Sequence, residues 1–201
     1  MKNAFWVIPC LMVMGIVYSC SNQTNEMGKT ENTTLTTIHN RKSVRSYTEQ
    51  AVSQEDLTTL VKAGMAAPSG MDRRPWEFVI VTDREKLNAM ADTLPYAKML
   101  TSSPAAIVVC GNNDEGNGGS SYWYLDCSAA TQNILLAAEA MGLGAVWTAA
   151  YPYEERMAPV KEILELPGYI LPLSVIPVGY PNGEFKAKEK YNPAKIHTNK
   201  W

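Results

Sequence analysis

Apolar residues change spacing from segment to segment along this chain, and the changes outline a succession of helices and strands. Behind Ser53, "LTTLVKAGMAA" places its apolar residues at helical spacing. Ser53 followed by Asp56 resembles a capping box, with Asp in place of the usual Glu. That helix ends at the turn Pro68-Ser69-Gly70, because proline cannot continue it. "EFVIVT" is compact and β-rich, and Asp83 is placed to cap a helix over "REKLNAMADTL". "AAIVVCG", Ala105 to Gly111, is short, continuous and β-branched in its middle, the pattern of a buried strand. "NNDEGNGGS" follows as a loop. From Tyr122 to Met141 the chain is apolar nearly all round at helical length, which predicts a central core helix closed by Gly142 and Gly144. "EERMAPVKEILEL" predicts a helix broken near Pro159, and "LPLSVIPVGY" a last core strand with Pro177 at a bulge or an edge. Ahead of these, "LTTIHN" suits a short helix, with "SVRSY" extended behind it. Strands and helices interleave without a regular βαβ period, so the expected fold class is α+β.

The N-terminal stretch follows other rules. Ala4 to Ser19 is almost wholly apolar behind Lys2, but it carries Pro9 and is shorter than the roughly 20 residues that span a bilayer. It reads as a secretory signal. Its end, "VYSC", resembles a bacterial lipobox with Cys20 as the lipidated residue, although Tyr18 is bulky for that pattern. Residues 21–34 are polar and cannot bury enough apolar surface to offset their ordering entropy. The expected organisation is therefore a signal peptide over 1–19, a flexible tether over 20–34 and a folded domain over 35–201. The domain is expected in the cell envelope, lipid-anchored and facing the periplasm or the exterior.

Composition narrows the classes. At 201 residues, 46% hydrophobic and 19% charged, the chain can build one domain with a full core. A net charge of −2 and a pI of about 5.7 argue against nucleic acid as a partner. Of four cysteines, Cys10 leaves with the signal, Cys20 takes the lipid, and Cys110 and Cys127 are expected as buried free thiols. An exported protein pairing them is the alternative. His39 and His197 lie far apart without ligand-like neighbours, so no metal site is expected. No G-x-S-x-G, P-loop or G-x-G-x-x-G motif is present.

Three short stretches remain as candidate chemistry. In "RKSVR", an extended backbone turns Arg41, Ser43 and Arg45 to one side, with Lys42 among them. Two guanidiniums and a hydroxyl on one face suit a phosphate; a solvated basic strand edge is the plainer alternative. Pro68 and Gly70 set a turn whose backbone N–H groups and Ser69 hydroxyl either face a ligand or merely join helix to strand. The glycines of "GLGAVW" cap a helix and also let a backbone approach a flat ligand.

Taken together, "IHNRKSVRSY", "AAPSGMDRRPWEFVIV", "GLGAVW" and "IPVGYPNGEFKAKEKYNPAKIHTNKW" resemble, in order and spacing, the FMN-dependent nitroreductase family, from about Thr36 to Trp201. The resemblance implies a nitroreductase-like α+β fold, with a central, mainly antiparallel sheet flanked by helices. It also implies an intertwined homodimer binding two FMN molecules, each touched by both subunits. By motif match, Arg41, Ser43 and Arg45, with Lys42 beside them, hold the phosphate and ribityl chain. Pro68, Ser69, Gly70 and Asp72 line the isoalloxazine, and the backbone of Val146, Trp147 and Thr148 passes the ring. Lys190, with Lys188 beside it, stands where the family usually has a phosphate-reaching arginine. Asp72 stands where the family often has asparagine; an ionised carboxylate accepts hydrogen bonds but cannot donate one.

The implied activity is hydride transfer from NAD(P)H or another electron donor, through FMN, to a nitroaromatic, quinone or similar small-molecule oxidant. The cofactor carries that chemistry, so no side chain is expected to be catalytic. A domain outside the cytoplasmic membrane meets little NAD(P)H. That conflict keeps open a second reading, a non-enzymatic flavin-binding envelope lipoprotein on the same scaffold. Contact with the membrane is expected only through the lipid anchor.

Overall fold

A computed structural model describes residues 33–201. The expected signal peptide, Cys20 and the tether up to residue 32 lie outside the described residues.

Both faces of strand β2 (Ala105–Asn112) are apolar, and both are covered. Ile107 and Val109 enter one core with α2 (Gln54–Met65) and α4 (Trp123–Ala140). Ala106, Val108 and Cys110 enter the other with α3 (Arg84–Thr93) and α5 (Glu154–Leu164). This two-sided burial explains the continuous apolar run, where a strand with one wet face would alternate. β1 (Trp76–Val81) pairs with β2, and β2 with β5 (Ile170–Gly179). Two short strands, β3 (Gly144–Ala145) and β4 (Thr148–Ala149), pair with β5. Every pairing among the described residues is antiparallel, in the order β1-β2-β5-β3 with β4 also on β5. The result is the expected α+β nitroreductase-like fold, an antiparallel sheet with helices on both faces.

Local chemistry sets the helix ends. Ser53 accepts the Asp56 N–H at 3.0 Å, and its hydroxyl donates to Asp56 Oδ2 at 2.8 Å. Asp56, one methylene shorter than Glu, takes this hydroxyl rather than closing the box on the Ser53 backbone. Asp83 accepts from Glu85 and Lys86 N–H at 2.8 and 3.2 Å. Caps of this kind stabilise by about 1 kcal/mol each. α1 (Thr33–Asn40) begins two residues ahead of the expected domain boundary. α4 closes at Gly142 (φ 73°), where the Leu143 N–H reaches the Ala138 carbonyl at 2.8 Å.

Several expectations need correction. Gly144 belongs to β3, not to the α4 cap. α5 runs unbroken through Pro159: one N–H is lost toward exposed Glu155, while buried Met157 and Val160 anchor the flanking residues. The bulge of β5 lies at Leu173, beside Pro172, where the register slips opposite Val109 and Cys110. Pro177 instead sits in the middle of this central strand, opposite Ala106. Extended in register, β3 and β4 would place Val146 opposite Pro177. The Ala150 N–H to Leu173 carbonyl bond (3.0 Å) sets residues 173, 175, 177 and 179 toward that side. Pro177 thus offers no N–H to Val146, and what could be one edge strand splits into two. Finally, α4 is not covered all round. Trp123, Cys127, Ala130 and Ile134 are buried, but Leu125 is 54% exposed.

Cys110 and Cys127 are buried free thiols, as expected. The Cys127 thiol donates to the Cys110 carbonyl at 3.2 Å. Burial pushes the Cys110 thiol up to about 12 from its ordinary 9.0 and raises Cys127 also, so both stay neutral near pH 7. Between those two values the unfolded chain ionises Cys110 first, so its contribution to stability falls as pH rises through that window.

Candidate functional site

The basic stretch behind α1 is pinned to the sheet edge by Val44. That side chain is buried, and its N–H donates to the Ala145 carbonyl at 3.1 Å. The approach depends on Gly144, where a Cβ would stand 2.6 Å from Val44 Cγ1. Tyr47 fastens the same stretch, its hydroxyl donating to the Val44 carbonyl at 2.7 Å and lying 3.3 Å from the Pro177 carbonyl. Burial pushes the Tyr47 phenol well up, which keeps it a donor. With Val44 turned inward, its neighbours Ser43 and Arg45 turn outward and line a cleft together with Arg41.

The C-terminal tail is laid alongside. The Thr48 N–H donates to the Tyr180 carbonyl (2.9 Å) and the Asn182 N–H to the Ser46 carbonyl (3.0 Å). Arg41, Lys42, Ser43, Arg45, Lys188 and Lys190 thereby converge on one cleft of about 260 Å³. Lys186 joins them; the alternation Lys186, Lys188, Lys190 in the sequence was the signal for it. Lys42 is committed to Glu139 of α4 at 2.7 Å. Ion pairs among the described residues leave Arg41, Arg45, Lys186, Lys188 and Lys190 unneutralised. Glu189 forms no ion pair with them among the described residues; its carboxylate takes the N–H groups of Tyr191 (2.7 Å) and Lys190 (2.9 Å), which hold it below its usual value.

Val146, Trp147 and Thr148 lie beside this cleft, joined to it through Ala145. Val146 is buried, Trp147 half-buried, and the Thr148 hydroxyl donates to the Val175 carbonyl at 2.6 Å. Their side chains serve the core.

Pro68, Ser69, Gly70 and Asp72 are not in the cleft. Their turn docks on the other end of α4: the Gly70 N–H donates to Asp126 Oδ1 at 2.9 Å, and Arg73 Nη1 donates to the Gly119 carbonyl at 3.1 Å. Asp126 and Glu139 are thirteen residues apart on α4, so the two docking points are roughly 20 Å apart at 1.5 Å per residue. Asp72 pairs with Arg74 through both oxygens, at 2.7 and 2.5 Å, and this pairing holds its carboxyl below its ordinary value. Asp72 is therefore ionised and accepts only. Asp126 was missed in the sequence, where a lone acid in "YWYLDCS" was its one signal.

The cleft suits a phosphate dianion by its donors: two planar forks, three ammonium groups and a hydroxyl on one wall. It therefore fits the phosphate end of FMN.

The molecule is thus an α+β fold whose antiparallel sheet carries a basic cleft beside its edge strand. The chain belongs to the nitroreductase family, whose model matches residues 38–94 and 90–180. A solved protein of Parabacteroides distasonis, provisionally named an NADH dehydrogenase/NAD(P)H nitroreductase, is 58% identical, with a TM-score of 0.82 over 85% of this chain and 100% of that one. A protein of Archaeoglobus fulgidus with the same provisional name is 42% identical over 170 residues, 83% of this chain and 98% of its own length. The NADPH:FMN oxidoreductase of Vibrio harveyi, solved with NAD+, is 28% identical, with a TM-score of 0.75 over 85% of this chain and 78% of that one.

Proposed function

We propose that this chain works as a homodimeric, FMN-dependent NAD(P)H oxidoreductase that reduces nitroaromatics, quinones or similar acceptors. Enzymatic activity of the general FMN- and NAD(P)H-linked type goes with the family. The observation that carries the reading is the cleft, which gathers the Ser43 hydroxyl and five cations that no ion pair among the described residues neutralises.

FMN, when bound, supplies the transfer of a hydride equivalent from reduced nicotinamide to the acceptor. The protein's part is to hold and orient. Arg41 and Arg45 present forks to the phosphate, Ser43 adds a neutral donor, and Lys186, Lys188 and Lys190 add point charges. The backbone of 146–148 presents a flat wall beside them. Ser69, Gly70 and Asp72 belong to the flavin ring in this reading, yet they dock at the far end of α4. A second copy whose α4 runs the opposite way brings its turn to this cleft. The exposed apolar side of α4 favours that arrangement: Leu125 is exposed, and a groove of about 570 Å³ runs between α1, α2 and α4, lined by Ile38, Ala66, Leu136 and Ala140. No feature of the site favours the non-enzymatic alternative.

Purified protein is expected to be yellow or to take up added FMN. It should oxidise NADH or NADPH when a nitro compound or quinone is supplied, and sediment at twice the mass of one chain. Colourless protein that stays flavin-free after incubation with FMN sinks the reading, and a monomeric holoprotein sinks the dimer.

The leader extends the proposal: Cys20 carries a lipid and the domain faces the periplasm or exterior. Cys20→Ser should release the protein from the membrane fraction, and retention there refutes the anchor.

A further inference from the structure

The turn that joins α2 to β1 is strained. Met71, Asp72 and Arg74 all have positive φ, at 53°, 53° and 52°. Such values are uncommon for residues with a side chain and persist only where surrounding contacts over-determine them. Two of the restraints are internal: the Arg74 N–H donates to Ser69 Oγ (3.0 Å), and Asp72 pairs with Arg74. These shape the turn but do not say where it points. Its position comes from α4. Gly70 packs against Tyr122, where an added Cβ would stand 3.4 Å from the ring. The Gly70 N–H is held by Asp126, and Arg73 reaches the Gly119 carbonyl.

Of the two hydrogen bonds that hold the turn to α4 and the loop before it, the one to Asp126 is accepted by a buried side chain, 6% exposed, and the other by a backbone carbonyl. It lies in the first turn of α4, where the helix N-terminus favours an anion. Oδ1 takes the Gly70 N–H, while Oδ2 has no hydrogen-bond partner among the described residues. A buried carboxylate is costly to keep, and the one hydrogen bond seen for it fixes the turn.

We infer that Asp126 is a positioning residue, whose carboxylate aims the Ser69–Asp72 turn for flavin. This rests on the function proposed above. Asp126 acts at the opposite end of α4 from the phosphate cleft, so losing it leaves Arg41, Ser43 and Arg45 in place. The flavin stays anchored by its phosphate, and its ring loses the wall that the turn provides.

Asp126→Ala and Asp126→Leu remove the acceptor. The leucine fills the space of the acid and keeps the test decisive if the alanine protein fails to fold. Asp126→Asn keeps an acceptor for Gly70. In the full-length protein, the alanine and leucine variants are expected to speed amide exchange across 69–74. They should also weaken FMN binding about tenfold, the worth of one hydrogen bond to a charged group, and shift the visible spectrum and reduction potential of bound flavin. The asparagine variant should stay near wild type in all four. Unchanged affinity, spectrum and potential in a folded alanine or leucine variant overturn the inference, because a merely structural residue would move only stability. An asparagine variant as impaired as the leucine one overturns the hydrogen-bond tether. Wild-type protein that takes up no FMN fails the flavin reading itself, a distinct result.

Discussion

Alanine at both Arg41 and Arg45 should weaken FMN binding by a hundredfold or more, roughly 3 kcal/mol at 1.4 kcal/mol per decade. Each guanidinium can offer a charge-assisted bond to phosphate worth about 1.5–3 kcal/mol, and Arg45 is exposed, which places the pair at the low end. Each single substitution should cost about tenfold on the same scale. Lysine at either position should fall between, since it keeps the charge and loses the planar fork. Lys186→Ala should cost only about two- to threefold, and that loss should fade as salt screens an exposed charge over about 10 Å. Neither arginine is in an ion pair among the described residues, so thermal stability should hold. Titrating FMN into apoprotein and following its fluorescence separates these cases. A double variant that binds FMN like wild type would show that the cleft serves another anion.

How much of this was legible depended on whether the signal was local. The caps at Ser53 and Asp83 depend on residues two or three apart, and both form. Strand β2 needs only its own run of β-branched residues between turn signals. The Arg41, Ser43, Arg45 side of an extended stretch is likewise a matter of alternation, and the structure turns that side into the cleft. The failures are non-local. Proline lacks a ladder donor, so the sequence sets Pro177 at a bulge or an edge. The structure meets that need by interrupting the neighbouring strand, which the residues around Pro177 do not encode. Pro159 was read as a helix breaker, but burial of Met157 and Val160 outweighs one missing bond. α4 is apolar nearly all round, yet Leu125 on it is exposed. Periodicity reports that a face is apolar, not whether anything covers it. The Pro68–Asp72 turn is set at the flavin by resemblance alone, and its docking on Asp126 rests on a contact 56 residues away in sequence.

Gly144→Ala should have the largest effect of any single methyl group near the cleft. The new Cβ would stand 2.6 Å from Val44 Cγ1, 2.8 Å from Val44 Cβ and 3.1 Å from Val44 Cγ2. Real side chains do not approach so closely, and Val44 has no exposed route of escape at 1% exposure. Overpacking of this kind costs about 1–3 kcal/mol. Here it also acts on function, since Val44 is flanked by Ser43 and Arg45 and its N–H binds Ala145 at 3.1 Å. Pushing Val44 off the sheet edge displaces the phosphate donors on either side of it. The variant should therefore lose both melting temperature and FMN affinity. Removing the two Val44 methyls by Val44→Ala should restore part of each in the double variant, because contacting residues are not additive. Restoration should remain incomplete, since the Val44 Cβ itself stays at 2.8 Å. Thermal unfolding and FMN titration of the two single variants and the double complete the cycle. Wild-type FMN affinity in Gly144→Ala would show that the cleft does not depend on how closely Val44 meets the sheet edge.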